Sequence, residues 1–197
     1  MRTKEFNITG VCVPSKHYMA DVSGKIAQII ALIDKGKYFT INRGRQYGKT
    51  TTISLLEDKL PKLGYMVIRI SFEGIGDAAF ESEASFCQSI IGQIHKYLSL
   101  YKRREAEDWV NDTVTTNDAL DTFLNKACEN KKYVLLIDET DKSSNNLVFL
   151  RFLGMLRDKY LLREKVGATF HNVVLAGVYD IKNLKLKMIH AGTHQLQ

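Results

Sequence analysis

The sequence feature that most constrains the fold is an unbroken apolar run, residues 133–137, which is followed at once by two carboxylates, Asp138 and Glu139. A strand covered on both faces is typically apolar throughout, whereas a strand with one solvent-exposed face alternates apolar and polar residues. Parallel sheets are covered in this way because the connections between their strands place helices on both faces. The run therefore predicts a buried strand in a mostly parallel sheet.

Short apolar runs alternate with helical patterns along the rest of the chain, which predicts a layered α/β domain. The strands are predicted at residues 38–41, 65–72, 133–137 and 173–178. The helices are predicted at residues 26–36, 49–60 with Pro61 as the stop, 83–100, from a cap near Asn117 onwards, and 146–162. The last of these helices is apolar around much of its circumference, so we expect it to be well buried. Residues 109–116 are polar and irregular and are predicted to form a loop.

Composition excludes several classes of protein. The 197 residues fit one domain, and a hydrophobic content of 45% with a charged content of 25% is typical of a globular chain. The three cysteines, Cys12, Cys87 and Cys128, are widely spaced and odd in number, which favours free thiols over a zinc site or a disulfide framework. The N-terminus lacks the apolar core of a signal peptide, and no run approaches the ~20 apolar residues of a membrane helix. We therefore expect a cytoplasmic protein without a membrane partner.

The net charge of +6 indicates the kind of partner that the chain accepts. It suits an anionic ligand and permits contact with nucleic acid, but it is too modest to require such contact. Nucleic acid therefore stays a background hypothesis for this chain.

A candidate phosphate-binding loop joins the first predicted strand to the helix that begins at Lys49. Backbone N–H groups and the positive end of a helix together favour phosphate oxygens. Gly48 lets the backbone approach the phosphates, Lys49 would reach the β- and γ-phosphates, and Thr50 would ligate Mg²⁺. Thr51 could contact the α-phosphate. The candidate nucleotide-binding residues are Arg43, Gly44, Arg45, Gln46, Tyr47, Gly48, Lys49, Thr50 and Thr51.

The loop departs from the common phosphate-loop pattern at one position. That pattern, G-x-x-x-x-G-K-[ST], requires glycine where this chain has Arg43, and Gly44 lies one position late. The competing interpretation is a basic turn that caps a helix.

The acid pair favours the nucleotide site. In phosphate-transferring enzymes of this layout the first acid, here Asp138, holds Mg²⁺, usually through its waters, and the second, Glu139, accepts a proton from the attacking water. The competing interpretation of the pair alone is a solvated strand end. Ligands of open parallel sheets sit at the carboxyl ends of the strands, where both elements would meet. Lys49 and Glu139 are therefore the candidate catalytic residues, and Thr50 and Asp138 are the candidate metal ligands.

With these residues in place, the chain resembles the AAA-ATPase-like family of bacterial and archaeal P-loop proteins, over residues 18–177. The phosphate loop of that family looks like Arg-x-Arg-x-x-Gly-Lys-[Ser/Thr], which here falls on Arg43, Arg45, Gly48, Lys49 and Thr50. The resemblance implies a P-loop NTPase fold of three layers, α/β/α, with ATP and Mg²⁺ as cofactors. It also implies that residues 18–21 lie near the adenine.

The resemblance implies further residues whose assignment stays open. A sensor position would follow the last strand, at Tyr179 or Asp180, where an ordinary turn is the competing interpretation. Glu73 could position the attacking water or could be a solvated loop acid. Arginine fingers would fall on Arg151, Arg157 or Arg163, although arginines on a partly buried helix more often pair with carboxylates or extend to solvent. These residues complete the list of candidate site residues.

The chain ends shortly after the last predicted strand, so we expect an ATPase core at residues 1–190, a polar tail at 191–197, and a truncated or minimal member of the family that lacks a lid and a nuclease-like domain. The predicted function is Mg²⁺-dependent ATP hydrolysis coupled to conformational change. The alternative is a nucleotide-gated switch or interaction module with little hydrolysis, which acts on a protein partner, on a second copy of the chain, or within a larger nucleic-acid-associated system.

Overall fold

The fold is described from a computed structural model of the chain. The structure describes residues 4–8, 10–13, 15–42, 44, 47–101, 103–143, 146–165 and 169–177, and the statements below refer to these residues. The predicted polar tail at 191–197 lies outside them, as does the end of the predicted ATPase core.

A four-stranded parallel sheet forms the centre of the described part of the chain. The strands are β1 (Phe39–Asn42), β2 (Met66–Ser71), β3 (Tyr133–Asp138) and β4 (Asn172–Gly177), and their order across the sheet is β1-β4-β3-β2. Every residue of β3 and β4 is buried. The prediction of a parallel sheet with a covered strand at residues 133–137 is therefore confirmed.

Helices lie on both faces of this sheet. They are α1 (Ser23–Asp34), α2 (Lys49–Lys59), α3 (Glu83–Leu100), α4 (Asn117–Ala127) and α5 (Leu147–Leu162). One core cluster joins α1 and α2 to the side chains of one sheet face, among them Val134 and Leu136 of β3. The other joins α3, α4 and α5 to the opposite face, among them Leu135 and Ile137. The alternation along β3 follows from the period of two residues in a strand.

Side-chain caps explain where three of these helices begin. Ser82, Thr116 and Asn146 each accept a hydrogen bond from a backbone N–H of the first turn, and each thereby satisfies a donor that has no partner within the helix. The predicted cap of α4 was wrong by one residue, because Thr116 caps the helix and Asn117 is its first helical residue.

The predicted end of the second helix at Pro61 agrees with the structure to within one residue: α2 ends at Lys59, and Pro61 lies in a separate 3₁₀ turn, Leu60–Leu63, that ends at Gly64 with a φ of 85°. Proline fits the first positions of such a turn, where its missing N–H has no partner in any case. The expectation about α5 needs correction, because this helix buries Phe149, Phe152 and Leu156 but leaves its Leu147 and C-terminal leucines well exposed. It is therefore a helix with one buried face.

The segment between α3 and α4 contains more structure than its polar sequence predicts. Arg104–Trp109 forms a 3₁₀ helix, and the Trp109 ring is fully buried, stacked on Phe170 and edge-on to Tyr133. Further 3₁₀ turns are Phe72–Gly74, Asp77–Phe80 and Thr140–Ser143. None of the helices in the described part of the chain combines the length and hydrophobicity that a bilayer-spanning segment requires.

Candidate functional site

The carboxyl ends of the four parallel strands lie along one edge of the sheet. Asn42, the last residue of β1, pairs in register with Gly177 of β4, and Ser71 of β2 pairs with Asp138 of β3. Since β4 separates β1 from β3, the loop after β1 and the acids after β3 are one strand apart, which is roughly 10 Å at the usual strand spacing. The two predicted motifs therefore meet at one edge.

The candidate phosphate loop ends at Gly48, which precedes α2 and has a φ of 73°. A Cβ atom at Gly48 would meet no other atom within 4 Å, so the glycine is required by the left-handed backbone and not by crowding. Its carbonyl accepts hydrogen bonds from the Thr52 N–H and from Thr52 Oγ1, both at 2.8 Å. Gly48 therefore gives the backbone the turn that leads into the N-terminus of α2, where backbone N–H groups favour an anion.

Lys49 is the first residue of α2 and is almost fully buried, with an exposed fraction of 7%. Its Nζ donates to the carbonyl oxygen of Gly44 at 3.3 Å, so the side chain lies back over the loop. The Tyr47 ring packs close to Gly44 and is otherwise exposed to solvent. The charge of this lysine is therefore held against the Gly44 carbonyl and away from the protein surface.

The remaining loop residues divide into two groups. Arg43, Arg45 and Gln46 lie outside the described residues. Thr50 is half-buried in the first turn of α2, and Thr51 Oγ1 accepts a hydrogen bond from the backbone N–H of Cys12 at 3.2 Å. The N-terminal segment therefore lies against the first turn of α2.

Asp138 is the last residue of β3, and its side chain is only 3% exposed. Its Oδ1 accepts a hydrogen bond from the Glu139 N–H at 3.0 Å, and its Oδ2 accepts one from Nη2 of Arg69 at 3.3 Å. A buried carboxylate requires hydrogen bonds and an opposite charge, and these two contacts supply both.

Glu139 follows with a φ of 56°, a left-handed conformation that is uncommon for a residue with a side chain. Burial raises the pKa of its carboxyl, and the neighbouring carboxylates, chiefly Asp138 and Asp141, raise it further, while the Lys49 charge opposes the shift. Backbone strain of this kind often occurs at functional sites.

The turn after Glu139 folds over the end of β4. Thr140 Oγ1 donates to the carbonyl oxygen of Ala176 at 3.1 Å. A Cβ atom at Gly177 would lie 2.6 Å from that hydroxyl and would overlap the Asp141 carboxylate. The absence of a side chain at Gly177 therefore permits Thr140 and Asp141 to lie against the end of β4.

Sequence reasoning missed a network beside Asp138. Arg69 also donates through Nη1 to Glu57 of α2 at 3.2 Å. The Glu57 carboxylate in turn accepts the hydroxyl protons of Tyr97 and Tyr101 from the end of α3. The signal in the sequence was a single arginine inside an otherwise apolar strand, since unpaired charges are rarely placed there.

The other candidates are placed as follows. Glu73, in the 3₁₀ turn after β2, is exposed but near enough to raise the pKa of Glu139. Arg151 and Arg157 are exposed on α5, and Arg163 lies over the Tyr160 ring. Both sensor candidates, Tyr179 and Asp180, lie outside the described residues. Among the described residues, these arginines form no ion pair with Asp138 or Glu139, so the assignment of an arginine finger stays open.

A magnesium ion would suit the groups at this edge. Within the described residues, no three His, Cys, Asp or Glu side chains are grouped as a metal cage. Mg²⁺ does not need one, since it keeps several waters and is usually held by one or two carboxylates together with phosphate oxygens. The Thr50 hydroxyl and the Asp138 carboxylate are oxygen donors of the required kind.

Comparison with known proteins gives the family. Residues 9–181 match the family described as "AAA-like domain", and the chain therefore belongs to it. Membership of this family suggests a nucleotide-binding, ATPase-like function. No curated protein matches the chain.

Proposed function

We propose that the chain binds ATP with Mg²⁺ and hydrolyses it, and that hydrolysis drives a conformational change. The observation that carries the proposal is the meeting of two elements at one edge of a parallel sheet: the turn into α2 at Gly48 and Lys49, and the acids Asp138 and Glu139 at the end of β3, with one strand between them. Membership of the AAA-like domain family supports the same activity. The P-loop NTPase fold is the finer fold that this proposal implies.

The phosphates are assigned to the start of α2. The N–H groups that follow Gly48 and the positive end of the helix attract the phosphate oxygens. On binding, Lys49 exchanges the Gly44 carbonyl for the β- and γ-phosphates, a stronger partner because it is charged. Arg43, Arg45, Gln46, Tyr47 and Thr51 complete the proposed nucleotide contacts.

The metal ion and the attacking water are assigned to the acid pair at the end of β3, with Thr50 as a further ligand of the metal. Thr50 and Asp138 would hold Mg²⁺, which supplies charge neutralisation at the phosphates. Glu139 accepts the proton of the attacking water. Its raised pKa makes it a stronger base than a surface carboxylate, which suits this role.

A second function, the nucleotide-gated switch with little hydrolysis, is favoured by one observation. Asp138 is already paired with Arg69, so the carboxylate that would hold the metal has an internal partner. A site of this kind could bind nucleotide and change conformation without efficient turnover.

Binding is tested by titrating a fluorescent ATP analogue with Mg²⁺ into wild-type protein and into Lys49→Ala. Loss of a charged hydrogen-bond donor should weaken binding by roughly 10- to 100-fold. The matched control is Lys59→Ala, which removes an exposed lysine from the last turn of the same helix and should leave the affinity unchanged. Equal affinities for Lys49→Ala and wild type would contradict the site.

Steady-state release of phosphate distinguishes the ATPase from the nucleotide-gated switch. Phosphate release that is lost in Glu139→Gln, with nucleotide binding retained, supports the ATPase. Equally negligible release from wild type and from the variant, again with binding retained, supports the switch. Glu81→Gln, which changes an exposed carboxylate between the 3₁₀ turns and α3, is the control for a general effect of charge.

A further inference from the structure

The cation beside Asp138 is shared between two carboxylates. The guanidinium of Arg69 contacts Glu57 at 3.2 Å through Nη1 and Asp138 at 3.3 Å through Nη2. The two distances are nearly equal, so neither carboxylate holds the cation alone. The side chains of Arg69, Glu57 and Asp138 are 23%, 13% and 3% exposed, which means that solvent screens these charges only in part.

Glu57 is fixed from its other side by α3. Tyr97 OH and Tyr101 OH donate to the same oxygen, Oε1, at 2.7 and 2.8 Å, while Arg69 uses Oε2. Burial and the Glu57 carboxylate raise the pKa of Tyr97, and the hydrogen bond to Glu57 raises that of Tyr101, as expected for donors to a charged acceptor. Glu57 is therefore a rigid partner for the arginine.

A purely structural ion pair would need only one acid for one base. Here one positive charge faces two negative charges, so the group of three carries an excess negative charge next to the proposed metal site. A divalent cation on Asp138 would repel the guanidinium, because both would share one carboxylate. Glu57 offers the arginine a second partner when that repulsion arises.

We propose that Arg69 is a positioning residue that holds Asp138 in the absence of metal and competes with Mg²⁺ for it, and that Glu57 sets the strength of this competition by drawing the guanidinium away. This inference rests on the proposed function, since it concerns the carboxylate assigned to the metal. It adds two residues, in α2 and β2, that regulate the metal affinity of the site.

The inference predicts opposite effects for the two partners. Arg69→Met removes the competing cation and should lower the metal concentration at half-saturation. Glu57→Gln releases the guanidinium to Asp138 and should raise it. Each change should be on the order of tenfold, within the usual range of coupling between charged groups that share a site. If the network only stabilised the structure, either substitution would disturb Asp138, and both would change the metal concentration at half-saturation in the same direction.

The experiment measures Mn²⁺ binding by electron paramagnetic resonance without nucleotide, and the Mg²⁺ dependence of binding for a fluorescent ATP analogue. Both measurements use the full chain. Asp138→Asn should lose the site, and Arg69→Lys should keep the competition because it keeps the charge. Arg104→Met is the matched control, since it changes an exposed arginine at the start of the 3₁₀ helix Arg104–Trp109.

Each outcome decides the inference. Opposite shifts in Arg69→Met and Glu57→Gln support it, whereas shifts of the same sign, or none, overturn it. Equal Mn²⁺ binding by wild type and Asp138→Asn also overturns it, even where nucleotide binding stands. If the wild type binds Mn²⁺ through Asp138 but binds no nucleotide, the proposed function fails, and the Mn²⁺ shifts alone decide the role of Arg69.

Discussion

The two faces of the sheet are covered by different types of apolar side chain. On the face covered by α3, α4 and α5, the buried residues include a connected set of aromatic rings, with Phe72 and Phe86 edge-on to each other and to further phenylalanines. On the face covered by α1 and α2, the buried apolar residues are isoleucine, leucine, valine and alanine. The second face also holds Lys49 and Asp138 at its edge, whereas the buried Lys159 on the other face is paired with Asp121.

This difference indicates that the two faces contribute unequally to the free energy of folding. Aromatic side chains bury large areas and contribute strongly to stability, so the α3–α5 face supplies much of the free energy of folding. At the edge of the aliphatic face, Glu139 has a positive φ, which costs stability. The candidate site and the aromatic core therefore lie on opposite sides of one sheet, and the following substitutions test whether function and stability are separated in the same way.

The largest effect is expected on the aromatic face. Phe86→Ala should lower the free energy of unfolding by about 3–5 kcal/mol, because a fully buried ring that contacts Phe72, Phe80 and Phe152 is removed. Denaturant unfolding measures this change. Leu161→Ala, at an exposed position on α5, should stay within about 0.5 kcal/mol of wild type. Nucleotide affinity that falls as sharply as stability in Phe86→Ala would remove the separation between the faces.

An intermediate effect is expected where the acid pair meets β4. Gly177→Ala should cost about 1–3 kcal/mol, because the added methyl group would displace the Thr140 hydroxyl and the Asp141 carboxylate. It should also weaken nucleotide binding, since the turn after Glu139 must move. The matched control is Gly92→Ala in α3, where a Cβ meets no atom within 4 Å and where alanine should stabilise the helix by about 0.5–1 kcal/mol. Similar stability in the two variants would show that the turn adapts without strain.

The smallest effect concerns the charge of Glu139. Its pKa is raised in the folded protein, so the folded state binds more protons than the unfolded state, and this residue lowers stability as pH rises from the unfolded pKa through the folded one. Glu139→Gln should therefore match wild type in acid and gain stability towards neutral pH, by less than about 1 kcal/mol. The measurement is the difference in unfolding free energy between about pH 3.5 and about pH 7.5, which lie below and above the range in which a glutamate titrates. A gain of the same size at both pH values would contradict the shift.

The elements of the fold could be predicted well from the sequence, because their signals are local. The apolar run of β3, the alternation along β2 and the spacing of isoleucines in α1 each identify an element without knowledge of the rest. The position of the candidate loop and the acid pair at one edge of the sheet was also predictable, since it follows from one general property of parallel sheets.

The rest depended on contacts between distant residues. Arg69, Glu57 and Tyr97 belong to three separate elements, and no pattern in the sequence relates them before the sheet order is known. The requirement for glycine at position 177 arises from Thr140 and Asp141, which approach it only after folding. Trp109 was assigned to a loop because its neighbours are polar, although its own burial determines the local structure.

The position of Trp109 has a practical consequence. It is the single tryptophan of the chain, and it packs against Tyr133 at the start of β3, whereas Asp138 is at the other end of that strand, roughly 17 Å away at the usual rise per residue. Its emission spectrum should therefore shift when the aromatic face is exposed to water and stay constant when a ligand binds at the opposite edge. The chain thus contains an intrinsic fluorophore that reports unfolding separately from ligand binding.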